Sequence, residues 1–128
     1  MKILLDTHTF VWMDKDVAKL SPNVKSLIAD RRNQLLLSVA SIWEMRIKAT
    51  LGKLQLRLPL AQIVSENQSL NGLVVVDIRP DHIYAIEQLP AAHNDPFDRL
   101  IASVALYENI PLLTADSIFQ KYPITTIW

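Results

Sequence analysis

The sequence predicts a doubly wound or three-layer α/β fold built around a mainly parallel sheet. Short, mostly apolar segments alternate along the chain with segments that carry helix caps, and this alternation is typical of βαβ units. The apolar segments are rich in Leu, Ile and Val, as expected for strands that are covered by helices on both faces. The predicted strands span residues 3–5, 34–39, 73–77, 112–114 and 124–128.

Helix starts and stops occupy the intervals between these strands. Ser21 and Pro22 are the residue types favoured at an N-cap and a first helical position, so we predict a helix from there to about residue 32. Either Ser38 or Ser41 caps the next helix, and Gly52 is a typical residue to end it. The remaining predicted helical segments span residues 9–13, 59–71, 80–89, 95–108 and 117–120.

Length and composition indicate one globular domain covering residues 1–128. Half of the residues are hydrophobic and 20% are charged, which is sufficient to bury a core. The 13 basic and 13 acidic residues give a net charge of zero, so any nucleic-acid binding depends on a local site rather than on the overall charge. The absence of cysteine excludes disulfides and Cys-ligated zinc.

The N-terminal segment and the lengths of the apolar runs predict a soluble, cytoplasmic protein. The apolar run that begins at Ile3 reaches an acid at Asp6, so it lacks the hydrophobic region of a signal peptide. No apolar run approaches the length needed to cross a bilayer. We therefore expect a cytoplasmic location and no membrane partner.

Four acids fall where predicted strands end or predicted helices begin. Asp6 follows the first strand, and Glu44 lies about one turn into the helix after the second. Asp98 lies in the first turn of the helix before the fourth strand, and Asp116 follows that strand. Strand carboxyl ends and helix N-termini meet at one edge of a parallel sheet, where sites form. Clustered carboxylates repel one another unless a cation is bound, and such oxygen ligands suit Mg²⁺ or Mn²⁺.

Spacing alone leaves these acids open to two interpretations, a metal site or ordinary caps and loop acids. Asp95 is in the N-cap position of its helix, with Pro96 at the first helical position and Asp98 at the third. An acid at the third position is favourable to the helix dipole whether or not it binds a metal. Asp95 is therefore either only a cap or a further carboxylate of the site.

Four short motifs in order give the chain a resemblance to a known family. They extend over nearly the whole length, and four in the correct order are far more specific than any one alone. The four stretches are Leu4-Leu5-Asp6-Thr7-His8, Ser41-Ile42-Trp43-Glu44-Met45-Arg46-Ile47-Lys48, Asp95-Pro96-Phe97-Asp98-Arg99-Leu100-Ile101-Ala102 and Leu113-Thr114-Ala115-Asp116. Through them the chain resembles the PIN-domain ribonucleases, and within them the VapC-like toxins of bacterial toxin–antitoxin pairs.

The resemblance implies a three-layer α/β/α PIN-like fold and a metal-dependent endoribonuclease. Mg²⁺ or Mn²⁺ would be held by acids, and a metal-activated water would attack an RNA phosphodiester. Thr7 and Thr114 become candidates for supporting hydrogen bonds to those acids. The resemblance also implies a cognate antitoxin that blocks the site, and a homodimer. The acidic quartet of the family corresponds to Asp6, Glu44, Asp98 and Asp116.

Basic and histidine residues near these motifs have more than one interpretation. Arg99, beside Asp98, either holds a phosphate or pairs with an acid. Arg46 belongs to a locally basic stretch and either contacts RNA or lies on a solvated helix face. His93 is close to the predicted edge, where we interpret it as a loop residue rather than a base.

Other function classes fit the pattern less well. A phosphatase with an aspartyl nucleophile at Asp6 would need a second acid two residues later, where this chain has His8. A phospho-acceptor domain would need paired acids after the first strand, where this chain has only Asp6. Asp77, after a middle strand, could serve as the acceptor. A binding module without catalysis is disfavoured by the complete set of four acids.

Overall fold

The computed structural model describes residues 1–91 and 93–128, which form a five-stranded sheet and six α-helices. No helix in these two ranges is both long and apolar enough to cross a membrane. The elements in chain order are β1 (Lys2–Leu5), α1 (Thr7–Lys15), α2 (Pro22–Ala29), β2 (Gln34–Ser38), α3 (Val39–Thr50), α4 (Leu60–Asn71), β3 (Val74–Val76), α5 (Pro80–Ala85), α6 (Pro96–Glu108), β4 (Leu112–Leu113) and β5 (Thr126–Ile127), with 3₁₀ turns at Val17–Lys19, Ile86–Gln88 and Ser117–Lys121.

The sheet has the strand order β3-β2-β1-β4-β5, and every pairing within it is parallel. Strand β1 lies in the middle, between β2 and β4. The carboxyl ends of these three strands therefore open onto the same edge. The predicted α/β class is confirmed, and the sheet is wholly parallel in the part of the chain that the structure describes.

Two hydrophobic clusters lie on opposite faces of the sheet, as a three-layer fold requires. Successive strand residues point to opposite faces, so Leu4 contributes to one cluster and Leu5 to the other. The Leu5 face packs against α1, α2, α3 and α4, and the Leu4 face packs against α6. Both leucines are completely buried, which explains why the strands have no polar alternation.

Several predicted caps are confirmed, and two helix boundaries differ from the predicted ones. Ser21 caps α2 as predicted, although that helix ends at Ala29 rather than at about residue 32. Ser38, not Ser41, caps α3 by accepting from the backbone N–H of Ala40. Helix α1 begins at Thr7 rather than at residue 9, because the Asp6 side chain caps it.

Candidate active site

The four predicted acids line one cavity at the carboxyl edge of the sheet. Its volume is about 260 Å³. Asp6 enters from the end of β1, Glu44 from α3, Asp98 from the first turn of α6 and Asp116 from the residues after β4. The described residues that line it are Asp6, Thr7, His8, Glu44, Lys48, His93, Asp95, Asp98, Asp116 and Phe119.

Asp6 is a buried carboxylate whose two oxygens are both hydrogen-bonded. Oδ1 accepts from the backbone N–H of Thr9 at 2.7 Å, which is the capping bond of α1. Oδ2 accepts from the hydroxyl of Thr114, and that hydroxyl in turn accepts from the backbone N–H of Asp116 at 3.1 Å. Burial raises the pKa of Asp6, and these hydrogen bonds offset part of the rise. The chain after β4 is thus tied to the end of β1.

Glu44 is 3% exposed and is held by one neighbour on each oxygen. Oε1 accepts from Thr7 Oγ1 at 2.5 Å, and Oε2 pairs with Lys48 Nζ at 2.8 Å. Ser41 Oγ lies 3.0 Å from the same Thr7 hydroxyl. Lys48 follows Glu44 by one helical turn, the spacing at which side chains on a helix meet. These contacts fix the carboxylate of Glu44 at the cavity wall.

Asp98 lies beside two other titratable groups at the start of α6. Its Oδ2 is 2.9 Å from His93 Nε2. Asp95 caps the helix, with Oδ1 accepting from the backbone N–H groups of Phe97 at 2.9 Å and Asp98 at 3.2 Å. Burial and then the charge of Asp95 raise the pKa of Asp98 to about 6, against the hydrogen bond from His93. His93, Asp95 and Asp98 each offer a ligand atom within 4.8 Å of the others.

Asp116 is the exposed member of the four acids. It caps the 3₁₀ turn at Ser117–Lys121, with Oδ1 accepting from the backbone N–H of Ile118 at 3.0 Å. It therefore forms the rim of the cavity, whereas Asp6 and Glu44 form its buried floor.

The charge balance of the cavity fits a divalent cation. In the described ranges its lining holds five carboxylates, whereas Lys48 is the only Lys or Arg there. The raised pKa values of Asp6 and Asp98 indicate that ionising these groups costs free energy in the metal-free protein. A bound cation removes that cost, and carboxylate oxygens are the ligands preferred by Mg²⁺ and Mn²⁺.

The two arginines considered as substrate contacts lie outside the cavity lining. Arg46 is exposed and borders an apolar groove between α3 and α4. Arg99 donates to two backbone carbonyls, those of Pro90 at 2.9 Å and His93 at 3.3 Å, rather than pairing with an acid. Both candidate phosphate contacts remain predictions.

Two residues of the cavity contact the predicted acids directly, which the sequence analysis did not predict. His93, interpreted as a loop residue, makes a direct contact with Asp98. Lys48 pairs with Glu44, and the i,i+4 spacing of the two residues was a usable signal for this contact. The position of His93 could not be derived in this way, because it depends on the path of the loop before α6.

Replacing Lys48 with Met should destabilise the metal-free protein at neutral pH by roughly 1–2 kcal/mol. The reason is that Glu44 is buried and would lose its charged partner, while the neighbouring carboxylates would repel it without compensation. Saturating Mg²⁺ should reduce the deficit, since the cation replaces part of the lost charge. Urea unfolding with and without Mg²⁺ measures both quantities.

Lys19→Met is the matched control for that substitution. Lys19 pairs with Asp16 at 3.2 Å, but both side chains are about half exposed. An exposed pair of this kind contributes about 0–1 kcal/mol, and it lies outside the cavity lining. A Mg²⁺-dependent deficit of equal size in the two variants would contradict the assigned role of Lys48.

The fold and the cavity together define a class of protein. It is a three-layer α/β protein with a cavity at the carboxyl edge of its parallel sheet, and the carboxylates that line this cavity form a candidate metal site. The sequence profile of the PIN domain family matches residues 3–124. The chain therefore belongs to the PIN domain family, whose members are typically nucleases. The resemblance carried by the four motifs is confirmed at this level.

Solved structures share this fold over nearly the full length of the chain. VapBC2 from Rickettsia felis, bound to a DNA fragment from its promoter, has 20% identity and a TM-score of 0.75, covering 100% of this chain and 99% of that chain. DNA-bound VapBC from Salmonella typhimurium has 18% identity and a TM-score of 0.71, covering 99% of this chain and 97% of that chain. FitAcB from Neisseria gonorrhoeae has 16% identity and a TM-score of 0.64, covering 98% of this chain and 96% of that chain. No curated protein sequence matches the chain significantly.

Proposed function

We propose that this chain is a metal-dependent endoribonuclease that acts as the toxin of a toxin–antitoxin pair. The observation that carries the proposal is the convergence of Asp6, Glu44, Asp98 and Asp116 on one cavity in a member of the PIN domain family. The four acids come from four separate segments, so their convergence is a property of the fold and not of local sequence.

The metal ligands would be Asp6 and Asp98, with Glu44 and Asp116 completing the site and Asp95 available beside them. Mg²⁺, or Mn²⁺ in its place, supplies a Lewis acid for the phosphodiester and lowers the pKa of a bound water. The remaining contributions come from the chain itself. Thr114 and the backbone N–H of Thr9 orient Asp6.

Glu44 is positioned by a second set of contacts that serves the same site. Thr7 and Lys48 each hold one of its oxygens, so its carboxylate cannot turn away from the cavity. Lys48 also places a positive charge beside the acids, where a phosphate group of RNA would approach. We assign it the role of attracting that phosphate as well as restraining Glu44.

The proposed partners are RNA, a cognate antitoxin protein and a second copy of the chain. The resemblance to VapC-like toxins and the shared fold with VapBC and FitAcB support the antitoxin. The homodimer rests on the same resemblance, and we propose that residues 1–128 act as one domain within it. Light scattering of the purified chain, with and without a co-expressed antitoxin, tests these assemblies.

Divalent cation binding should stabilise the folded protein, because only the folded chain brings the acids together. At a free concentration 100 times the dissociation constant, the gain should be about 2.7 kcal/mol. Thermal unfolding in Mg²⁺, in Mn²⁺ and after chelation with EDTA measures it. Asp98→Asn should lose most of the shift. Identical melting curves in all three conditions would contradict the metal site.

RNA cleavage by the purified protein is the direct test of the activity. We expect cleavage in Mg²⁺ or Mn²⁺ and none after chelation, with single-stranded DNA of matching sequence as the comparison substrate. Metal binding without cleavage of total cellular RNA would overturn the nuclease and leave a metal-binding module. Equal cleavage of RNA and DNA would retain the nuclease and overturn its specificity for RNA.

A further inference from the structure

We infer that His93, held in place by Arg99, is a positioning residue that orients the carboxylate of Asp98 for metal binding. The inference rests on the proposed function, since it concerns a ligand of the proposed metal site. It assigns a role to two residues that lie in the loop before α6 and in its first turn.

The first observation is the contact between His93 and Asp98. His93 Nε2 lies 2.9 Å from Asp98 Oδ2, and both side chains are only partly exposed, at 32% and 19%. An ionised carboxylate has acceptors but no donor, so the imidazole N–H is the donor. This bond occupies Oδ2 and fixes the rotation of the carboxylate. The carboxylate of Asp98 is thereby held in one orientation at the cavity.

Arg99 supplies the second observation, because it fastens the loop that carries His93. Its Nη1 donates to the carbonyl oxygens of Pro90, at 2.9 Å, and of His93 itself, at 3.3 Å. The backbone N–H of Arg99 donates to the carbonyl oxygen of Asp95 at 3.0 Å, within the first turn of α6. One residue therefore connects the loop backbone to the helix turn that carries Asp98.

These contacts have the form of the outer-shell hydrogen bonds that orient metal ligands. Ligating carboxylates are commonly fixed by such partners, and removing one typically costs 10–100-fold in metal affinity. A direct ligand role for the imidazole is the competing chemistry, since His93, Asp95 and Asp98 offer ligand atoms close together. The two roles differ in metal selectivity, because imidazole favours transition metals over Mg²⁺.

Isothermal titration of Mg²⁺ and of Mn²⁺ into the purified chain tests the inference. His93→Ala should weaken both metals about 10–100-fold, by a similar factor for each, because a positioning bond is lost and no ligand atom. His93→Gln places an amide N–H near the position of Nε2 and should restore most of the affinity. Metal-free thermal unfolding midpoints should stay close to the wild-type value, since the contact is local and partly exposed.

Arg99→Ala should weaken both metals less than His93→Ala does. The double variant should be no weaker than His93→Ala alone, because Arg99 acts through His93 and coupled residues are non-additive. Arg31→Ala is the matched control. Arg31 also donates to a backbone carbonyl, that of Leu70 at 2.7 Å, but on an exposed surface outside the cavity. Its metal affinities should equal those of the wild type.

The outcomes separate this inference from the proposed function. Wild-type binding with unchanged affinity in His93→Ala overturns the inference alone. A loss much larger for Mn²⁺ than for Mg²⁺ identifies His93 as a ligand and overturns the positioning role. If the losses of metal affinity in the two single variants add up in the double variant, Arg99 does not act through His93, and that part of the inference is overturned. A wild-type chain that binds neither metal overturns both the proposed function and this inference.

Discussion

Asp98→Asn should lower the rate of RNA cleavage by at least about 100-fold, since loss of a mere outer-shell partner already costs 10–100-fold. The amide keeps the shape of the side chain and an oxygen that can accept from His93, but it removes the negative charge. Asp6→Asn should have an effect of the same order, because Asp6 is the buried acid at the floor of the same cavity. Single-turnover cleavage of a labelled RNA in saturating Mg²⁺ measures both rates.

Asp77→Asn provides the matched control for this pair of substitutions. Asp77 directly follows β3, as Asp6 follows β1, but it is exposed and lies outside the cavity lining. It should retain wild-type cleavage. Comparable losses in Asp77→Asn and Asp98→Asn would assign the effect to general charge or folding. Full activity in Asp6→Asn and Asp98→Asn would remove the basis of the proposed site.

The parts of the fold that sequence reasoning predicted are those determined by local pattern. Leu4 and Leu5 belong to a strand without polar alternation, which indicates burial on both faces, and the structure places them in opposite clusters. Asp95 and Pro96 were predicted as cap and first helical residue from their types alone, and α6 begins there. The acids could be placed at one edge because the topology of parallel strands leaves few other arrangements.

Contacts between segments distant in the chain were beyond local pattern. Ser38 and Ser41 are both reasonable caps by type, but only Ser38 caps α3, and the Ser41 hydroxyl instead lies beside that of Thr7, 34 residues earlier in the chain. Asp6 was predicted to end a strand, but its side chain also caps α1. Arg99 was expected to contact an acid or a phosphate, and its carbonyl partners become apparent only when the loop is folded back on the helix.

In the absence of metal, raising the pH from about 4 to about 6 should lower the free energy of unfolding. The contribution of Asp98 to this loss should be on the order of 3 kcal/mol. The pKa of Asp98 is raised from 3.8 to about 6 in the folded chain. Between these values the folded state binds a proton that the unfolded state has released, so the free energy of unfolding falls as pH rises. The direction for Asp6 is the same, because burial also raises its pKa.

The groups that face Asp98 determine how this dependence can be isolated. Asp95 and Glu44 raise its pKa by repulsion and His93 lowers it by hydrogen bonding, so these groups must be left intact. Asp98→Asn removes the titrating carboxyl group and leaves these three neighbours in place. Urea unfolding from pH 4 to pH 7 in EDTA should therefore give a shallower pH dependence for the variant than for the wild type. An unchanged slope would contradict the raised pKa.

The same substitution should reverse its effect on stability when metal is added. In EDTA at pH 7, Asp98→Asn should be more stable than the wild type, because it avoids the cost of a partly buried, repelled carboxylate. In saturating Mg²⁺ the wild type should become the more stable of the two. Cation binding offsets that cost only in the chain that has the Asp98 carboxylate. A crossing of this kind means that the chain keeps an unfavourable charge in order to bind the cation. A variant less stable than the wild type in both conditions would indicate that Asp98 serves chiefly as a helix-start residue.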